Sequence, residues 1–298
     1  MSALFATTPV PRAVSFKNIL FATDFSDSSM KALPYASGLA RKFGASLLVC
    51  HVVTPTPLAV GAPEAAPYLY QAETESAGRA LEDLLKSRDL SGITAKSLLP
   101  AGVLSDELKT AITQNKIDLV IAGTHGRTGV RRLLMGSTVE EICRIATVPV
   151  LTVGPDLVHA EGEEIAIRHI VYPTDLSEES AYAVPYVAGL AAAYGATVTV
   201  LHVMPEESAA NPDAKKLAEP LRASMVHLFE RQFGAIKPDF VLEFGDTVET
   251  ILNCVRRTHA GLIAMGIRNA FLPGFQLRSS VAYRVICAAP CPVLTCRS

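Results

Sequence analysis

The chain has 298 residues, of which 49% are hydrophobic and 19% are charged, and its formal net charge is -2. This length suits about two domains of ordinary size, and the apolar share argues against disorder. The near-neutral charge argues against nucleic acid as the main partner, and the lack of a run of about 18 apolar residues argues against a membrane span.

The first half alternates short apolar strands with amphipathic helices. Strands are predicted at residues 18–23, 46–53, 94–99, 117–122 and 148–153. Helices are predicted at residues 28–43, 69–87, 105–115 and from 138 to just before the proline at 149. This alternation predicts a parallel sheet covered by helices on both faces.

The connection between the fourth strand and the last helix of the first half carries the features of an anion site. The strand is followed by GTHG at 123–126, and GST at 136–138 opens the helix. Glycine lets a ligand approach the backbone closely, and a helix start offers unpaired N–H groups and the positive end of the helix dipole. Arg127, Arg131 and Arg132 add positive charge between them. The segment therefore predicts phosphate binding.

The same pattern then begins again, which indicates an internal repeat of domain size. Asp24 and Asp175 are 151 residues apart, and Gly123 and Gly266 are 143 residues apart. A polar, acidic stretch at 154–164, GPDLVHAEGEE, has the character of a joint. We therefore expect one domain at 1–154, a linker at 155–167 and a second domain at 168–298.

The glycine spacing, G-2x-G-9x-G-S from Gly123 to Ser137, resembles the nucleotide motif of the universal stress protein family. The segments ATDFS and CHVV of the first half, and YPTDLS and LHVM of the second, extend the resemblance over nearly the whole chain. The resemblance implies an α/β, Rossmann-like fold with two tandem open five-stranded parallel sheets of strand order 3-2-1-4-5, flanked by helices. It also implies that the two domains pair through their last strands, around 148–153 and 292–296.

The family resemblance further implies an ATP site in the first domain, with or without Mg²⁺ on the phosphates. The residues expected to bind the nucleotide are Ala22, Thr23, Asp24, Val52, Gly123, His125, Gly126, Arg127, Gly136, Ser137 and Thr138. We predict neither a catalytic residue nor a protein metal ligand.

Each of these site residues also has a plainer interpretation. The glycines would serve turns and a helix start, and Asp24 would cap the helix that follows it. His125 would simply fill its loop. His51 and His202 lie mid-strand and are interpreted as core histidines with satisfied rings. Cys287 and Cys291 lack the second ligand cluster that a zinc site usually pairs with such spacing.

The second copy departs from the motif where phosphate would bind. In register, Gly126 becomes Asn269 and Gly136 becomes Ser279, while Gly266 and Ser280 remain. A Cβ then stands at two of the three glycine positions, so we expect this half to have lost ATP or to hold it weakly. The opposing interpretation is that family members vary at these positions and still bind nucleotide.

No G-x-x-x-x-G-K-S/T, G-x-G-x-x-G or G-x-S-x-G motif occurs in the sequence. These absences weaken the case for an efficient enzyme. The first hypothesis, which the family resemblance implies, is an ATP-binding stress-response or regulatory protein that acts through nucleotide-dependent association. We expect a homodimer and an unidentified regulatory protein as partners. The alternatives are a slow nucleotide hydrolase or transferase, and an interaction protein that binds no nucleotide.

The N-terminal stretch lacks a charged region before an apolar core, so we expect no signal peptide and a cytoplasmic protein. In that setting the six cysteines are interpreted as buried thiols.

Overall fold

The structure, a computed structural model, describes residues 14–54, 65–124, 135–157, 164–210, 212–267 and 280–297, with the backbone alone at 209–210 and 212–215. Contacts group the described residues into two compact units. The first unit contains residues 16–165 together with 280–292. The second unit contains residues 14–15, 166–267 and 293–297.

The first unit is built on a five-stranded parallel sheet. Its strands are β1 (Asn18–Ala22), β2 (Ser46–Cys50), β3 (Ala95–Leu98), β4 (Leu119–Gly123) and β5 (Val150–Val153). They lie in the order β3-β2-β1-β4-β5. Its helices are α1 (Asp27–Met30), α2 (Leu33–Phe43), α3 (Ala66–Leu85), α4 (Leu104–Gln114) and α5 (Ser137–Ile145), with a 3₁₀ turn at Arg88–Leu90.

The second unit repeats this plan. Its strands are β6 (His169–Pro173), β7 (Thr197–Met204), β8 (Asp239–Phe244), β9 (Leu262–Gly266) and β10 (Val293–Cys296). They are parallel and lie in the order β10-β9-β6-β7-β8. Its helices are α6 (Glu178–Ala181), α7 (Val184–Tyr194), α8 (Pro212–Phe229) and α9 (Thr247–Thr258), with 3₁₀ turns at Glu206–Ala210 and Glu230–Phe233. The last helix of the repeat, α10 (Val281–Ala288), groups by contacts with the first unit.

The predicted fold is confirmed: both sheets are parallel, helix-flanked and ordered 3-2-1-4-5 by their position in the repeat. β4 and β5 consist of Leu, Ile, Val and Ala apart from Gly123 and Thr152, and every residue of the two strands is buried. Continuous apolar runs of this kind suit a parallel sheet that is covered on both faces. Phe16 and Phe43 close one end of the first core, with ring centroids 5.1 Å apart in an edge-to-face contact.

The helix predicted at 28–43 is instead two helices, α1 and α2, separated by Lys31 and Ala32. Pro34 lies in the first turn of α2, where its missing N–H costs no helical hydrogen bond; inside a continuous helix it would clash with the preceding turn. The second copy has the same break before Pro185. The predicted strand at 46–53 ends earlier, at Cys50, and Val53 forms an isolated bridge with Ala101.

All six cysteines are free, and all but Cys287 are buried. Among the described residues, none of the helices combines the length and the apolar character needed to cross a bilayer.

Candidate functional site

A cleft of about 330 Å³ opens at the carboxyl ends of β1, β2 and β4 in the first unit. The chain leaves β1 toward β2 on one side, and β4 pairs with β1 on the other side. The cleft therefore lies at the topological switch point, where open parallel sheets bind their ligands. Its volume is at the lower end of the range for small-molecule sites, about 300–1,000 Å³.

The structure brings together the predicted site residues that it describes. Ala22, Thr23, Asp24, Val52, Gly123, Gly136, Ser137 and Thr138 all line this cleft. The predicted residues His125, Gly126 and Arg127 lie outside the described residues. Residues from three strand ends and one helix start thus converge on a single concave surface.

The cleft has further lining residues that were not predicted as site residues from the sequence. They are Ser29, Cys50, His51, Thr54, Glu73, Leu104, Leu108, Ala122, Val139 and Ile142. Cys50, His51 and Ala122 adjoin predicted site residues, so their position at a strand end was an available signal. Glu73 and the leucines come from α3 and α4, and no local pattern in the sequence places those helices against the cleft.

Asp24 serves the turn that follows β1 and also faces the cleft. Its Oδ1 accepts hydrogen bonds from the Ser26 N–H at 3.0 Å and from the Ser26 hydroxyl at 2.6 Å. The hydroxyl of Ser26 in turn accepts from the Ser29 N–H and is the N-cap of α1. The cap is therefore Ser26, and Asp24 holds that cap in place while it lines the cleft.

Thr23 and His51 fix the other side of the same turn. The Thr23 hydroxyl accepts from the Phe25 N–H at 2.9 Å and lies 2.9 Å from the Ser29 hydroxyl. His51 Nδ1 lies 2.8 Å from the carbonyl oxygen of Thr23, and since a carbonyl only accepts, Nδ1 carries the hydrogen. Within the described residues, His51 Nε2 is buried without a hydrogen-bond partner. The expectation of a fully satisfied ring is therefore met at Nδ1 alone.

Gly123 is required by a close contact inside the fold. A Cβ at this position would lie 2.7 Å from the Ser28 carbonyl oxygen and 2.8 Å from the Ser29 Cα. Both atoms belong to the backbone of α1, which cannot move aside as a flexible side chain would. The missing side chain thus lets α1 pack directly on the end of β4, beside the cleft.

The first N–H groups of any helix lack a partner within the helix, and the start of α5 lines the cleft. Its N-cap is Gly136, which has no side chain to accept a hydrogen bond, and its own N–H donates to the Thr124 carbonyl at 2.9 Å. Ser137 and Thr138 are exposed in the first turn. In the second copy Ser280 is the N-cap of α10, and its hydroxyl accepts from the Tyr283 N–H at 3.1 Å.

The charges on the described lining of the cleft are negative. They belong to Asp24 and Glu73, and no lysine or arginine is among the described lining residues. The arginines at 127, 131 and 132 fall outside the described residues. Burial, followed by the negative charge of Glu107, raises the pKa of the Cys50 thiol to about 12, so this thiol stays protonated at neutral pH.

The second unit repeats the turn of the first. Asp175 Oδ1 accepts from the Ser177 N–H at 3.0 Å, and His202 Nδ1 donates to the Thr174 carbonyl at 2.8 Å. Burial alone would raise the pKa of the Asp175 carboxyl, but hydrogen bonds from Ser177, from Ser180 and from the Asp175 backbone outweigh it and hold that pKa below its usual value. A Cβ on Gly266 would lie 2.5 Å from the Ser180 Cα. Both copies thus share these hydrogen bonds and this close glycine contact.

Comparison with known proteins gives the family. The model of the Universal stress protein family matches residues 15–154 and again residues 166–297. Universal stress protein MJ0531 of Methanocaldococcus jannaschii is 32% identical over 140 residues, which cover 46% of this chain and 82% of that protein. Universal stress protein A homolog 1 of Coxiella burnetii is 32% identical over 141 residues, covering 46% of this chain and 96% of that protein.

Among solved structures, the chain is similar to a universal stress protein from Archaeoglobus fulgidus, with a TM-score of 0.72 and 23% sequence identity. The similarity covers 94% of this chain and 98% of that one, so the fold is shared over almost the full length. Since the family model matches twice and accounts for most of the residues, the chain belongs to the universal stress protein family as a member with two tandem domains.

Proposed function

We propose that the first unit binds ATP in the cleft at the ends of β1, β2 and β4, and that the protein is a cytoplasmic stress-response regulator. Nucleotide occupancy would control its association with other proteins. The observation that carries the proposal is the convergence of three strand ends and the uncapped start of α5 on one cleft at the switch point of the sheet.

The apolar part of the cleft suits an adenine ring. Ala22, Ala122, Leu104 and Leu108 offer apolar surface, and Val52 lies at the end of β2 on the side where the base would rest. Asp24 presents a carboxylate at the cleft, and a carboxylate accepts hydrogen bonds from ribose hydroxyls or from an amino group. Base and sugar would thus be recognised by different sides of the same surface.

The polar part of the cleft suits phosphates. The first-turn N–H groups of α5 and the hydroxyls of Ser137 and Thr138 are donors that an anion needs. The carboxylates of Asp24 and Glu73 oppose a triphosphate, so added positive charge is required there. Arg127, Arg131 and Arg132 are the side chains we assign to this role, and Mg²⁺ carried by the phosphates would supplement them.

Binding is favoured over catalysis by the chemistry of the described lining. Cys50 is the thiol in the cleft, and its pKa of about 12 keeps it from acting as a nucleophile at neutral pH. The ring nitrogen of His51 that bears the hydrogen is already bonded to the Thr23 carbonyl. Slow hydrolysis or group transfer, and an interaction role without nucleotide, remain the alternatives that experiment separates.

We also propose how the two domains are bounded and how they and the chains associate. We propose that the domains extend over residues 1–154 and 168–298 with a linker at 155–167. We propose that the domains pair through their last strands, because an unpaired apolar strand at a sheet edge promotes association. We further propose that two chains form a homodimer.

The proposal is tested by calorimetry with ATP, ADP and AMP, with and without Mg²⁺, on the full chain. Asp24→Ala should weaken ATP binding by about ten-fold or more, because hydrogen bonds to charged groups contribute about 1.5–3 kcal/mol. Asp175→Ala is the matched control, since it removes the same contacts to a serine turn in the second unit. The control should retain wild-type affinity.

Three outcomes would contradict the proposal. The wild-type chain could show no ATP binding, which would favour the interaction protein without nucleotide. Both variants could bind as tightly as wild type, which would place the nucleotide elsewhere. Phosphate release over many turnovers that Asp24→Ala abolishes would favour the enzyme instead.

A further inference from the structure

The last helix of the second copy belongs by contacts to the first unit. Residues 280–292, which contain α10, group with residues 16–165. In the sequence this helix follows the degenerate motif of the second copy, at 266–280. The Ser280 hydroxyl already caps the N-terminus of α10, so the side chains of this helix are the groups that can bind to the first unit.

Tyr283 makes the contact that matters most for the cleft. The N–H of Met135 donates to the Tyr283 hydroxyl at 3.2 Å, and both residues are only 4% exposed. Burial raises the pKa of the Cys287 thiol, one turn further along α10, and the Met135 N–H opposes that rise. The Tyr283 hydroxyl thus accepts from a buried backbone donor in the segment that leads into α5.

Met135 directly precedes Gly136, the N-cap of α5. The N–H of Gly136 donates to the Thr124 carbonyl at the end of β4, and the N–H of Met135 donates to α10. Two consecutive backbone donors are therefore tied to different parts of the unit. Together they set the direction in which the chain enters α5 and hence the position of its first-turn N–H groups.

We propose that Tyr283, contributed by the second copy, is a positioning residue for the phosphate-binding end of α5 in the first copy. Its effect on nucleotide affinity depends on the proposed ATP function, but the positioning itself is a property of the ligand-free protein. The second half of the chain would then regulate the first site without binding nucleotide itself. A change that shifts α10 would shift the helix start that faces the phosphates.

Two readouts on the full chain test this inference. In the ligand-free protein, Tyr283→Phe should speed hydrogen–deuterium exchange of the amides at 135–138 about five-fold, because one neutral hydrogen bond contributes about 1 kcal/mol. Tyr283→Phe combined with Cys287→Ala should have a larger effect, since it also removes a thiol whose pKa responds to the Met135 N–H. By calorimetry, ATP affinity should fall about five-fold in Tyr283→Phe.

Tyr172→Phe is the matched control. The Tyr172 hydroxyl donates to the Ser180 carbonyl at 2.9 Å in the second unit, so this variant also removes one hydrogen bond of a buried tyrosine. It should leave both readouts at 135–138 and at the ATP site unchanged. Unchanged exchange in both Tyr283 variants, faster exchange with unchanged ATP affinity, or an equal effect of Tyr172→Phe would each overturn the inference. If wild-type protein binds no ATP, the proposed function fails while the exchange measurement still decides whether Tyr283 positions α5.

Discussion

At the residue scale, the missing side chain of Gly123 matters for ligand approach and for packing. The sequence suggested that its missing side chain lets a ligand approach the end of β4. The structure adds that a Cβ there would meet the backbone of α1 at 2.7 Å. The second copy places Gly266 under the same constraint, although its phosphate motif is altered. The packing of the short helix therefore explains why this glycine is present in both copies.

Gly123→Ala should destabilise the first unit by about 1–3 kcal/mol, because an extra carbon in a packed site forces the surrounding backbone to shift. The change in unfolding midpoint, followed by circular dichroism, measures this effect. Gly78→Ala is the control, since a Cβ there meets only Leu99 Cδ2 at 3.9 Å and lies inside α3. That variant should gain about 0.5–1 kcal/mol, as alanine favours helix over glycine. Shifts of the same sign in both variants would refute the packing argument.

At the element scale, the N-caps are alike in one pair of equivalent helices and different in another pair. Ser26 and Ser177 cap α1 and α6 in the same way, each accepting from the N–H three residues later. The fourth helices differ, because Asp246 caps α9 by accepting from the Val248 and Glu249 N–H groups, both at 3.0 Å. Val103 stands at the N-cap of α4 and has no oxygen to offer, and it is 62% exposed.

The repeat thus supplies a paired test of capping. Val103→Ser should stabilise the first unit by about 1 kcal/mol, because the new hydroxyl can accept from the first turn of α4. Asp246→Ala should destabilise the second unit by about the same amount. Thermal unfolding of each variant beside wild type measures both changes. A loss of stability in Val103→Ser would show that the valine makes contacts worth more than a cap.

At the scale of the whole molecule, the two copies share the turn that follows their first strand and differ at the start of their last helix. The turns around Asp24 and Asp175 have the same hydrogen bonds. The helix starts differ, since Gly136 leaves the first turn of α5 without a side-chain cap while Ser280 occupies that of α10. This asymmetry agrees with a nucleotide site in the first half and none, or a weak one, in the second.

Exchanging the motif residues between the copies tests this asymmetry. Wild-type protein should bind one ATP per chain. Restoring glycine with Asn269→Gly and Ser279→Gly should raise the affinity of the second half, because the proposed binding mode needs glycine at these motif positions. The reverse change, Gly126→Asn with Gly136→Ser, should abolish binding in the first half. Calorimetric stoichiometry and affinity are the measurements, and no gain on restoration would mean that the second site lacks more than two glycines.

The fold was predictable because its signals are local. Apolar runs in β4 and β5, the alternation with amphipathic helices and the repeat itself can all be read along the chain. The sequence prediction missed the break between α1 and α2 because the apolar periodicity continues across it. Pro34 was a local signal for this break. The predicted residues that line the cleft adjoin strand ends or the start of α5, whereas lining residues that helices bring in from a distance, such as Glu73, were not predicted.

By itself, the sequence determined the parallel α/β plan, the tandem repeat and the strand-end residues that line the cleft, since hydrophobic period and motif spacing are written in neighbouring residues. The tertiary structure alone decided that α1 rests on Gly123, that α3 and α4 help to wall the cleft, and that Tyr283 reaches Met135. These are contacts through space between segments far apart in the chain, and their geometry exists only once both segments have packed.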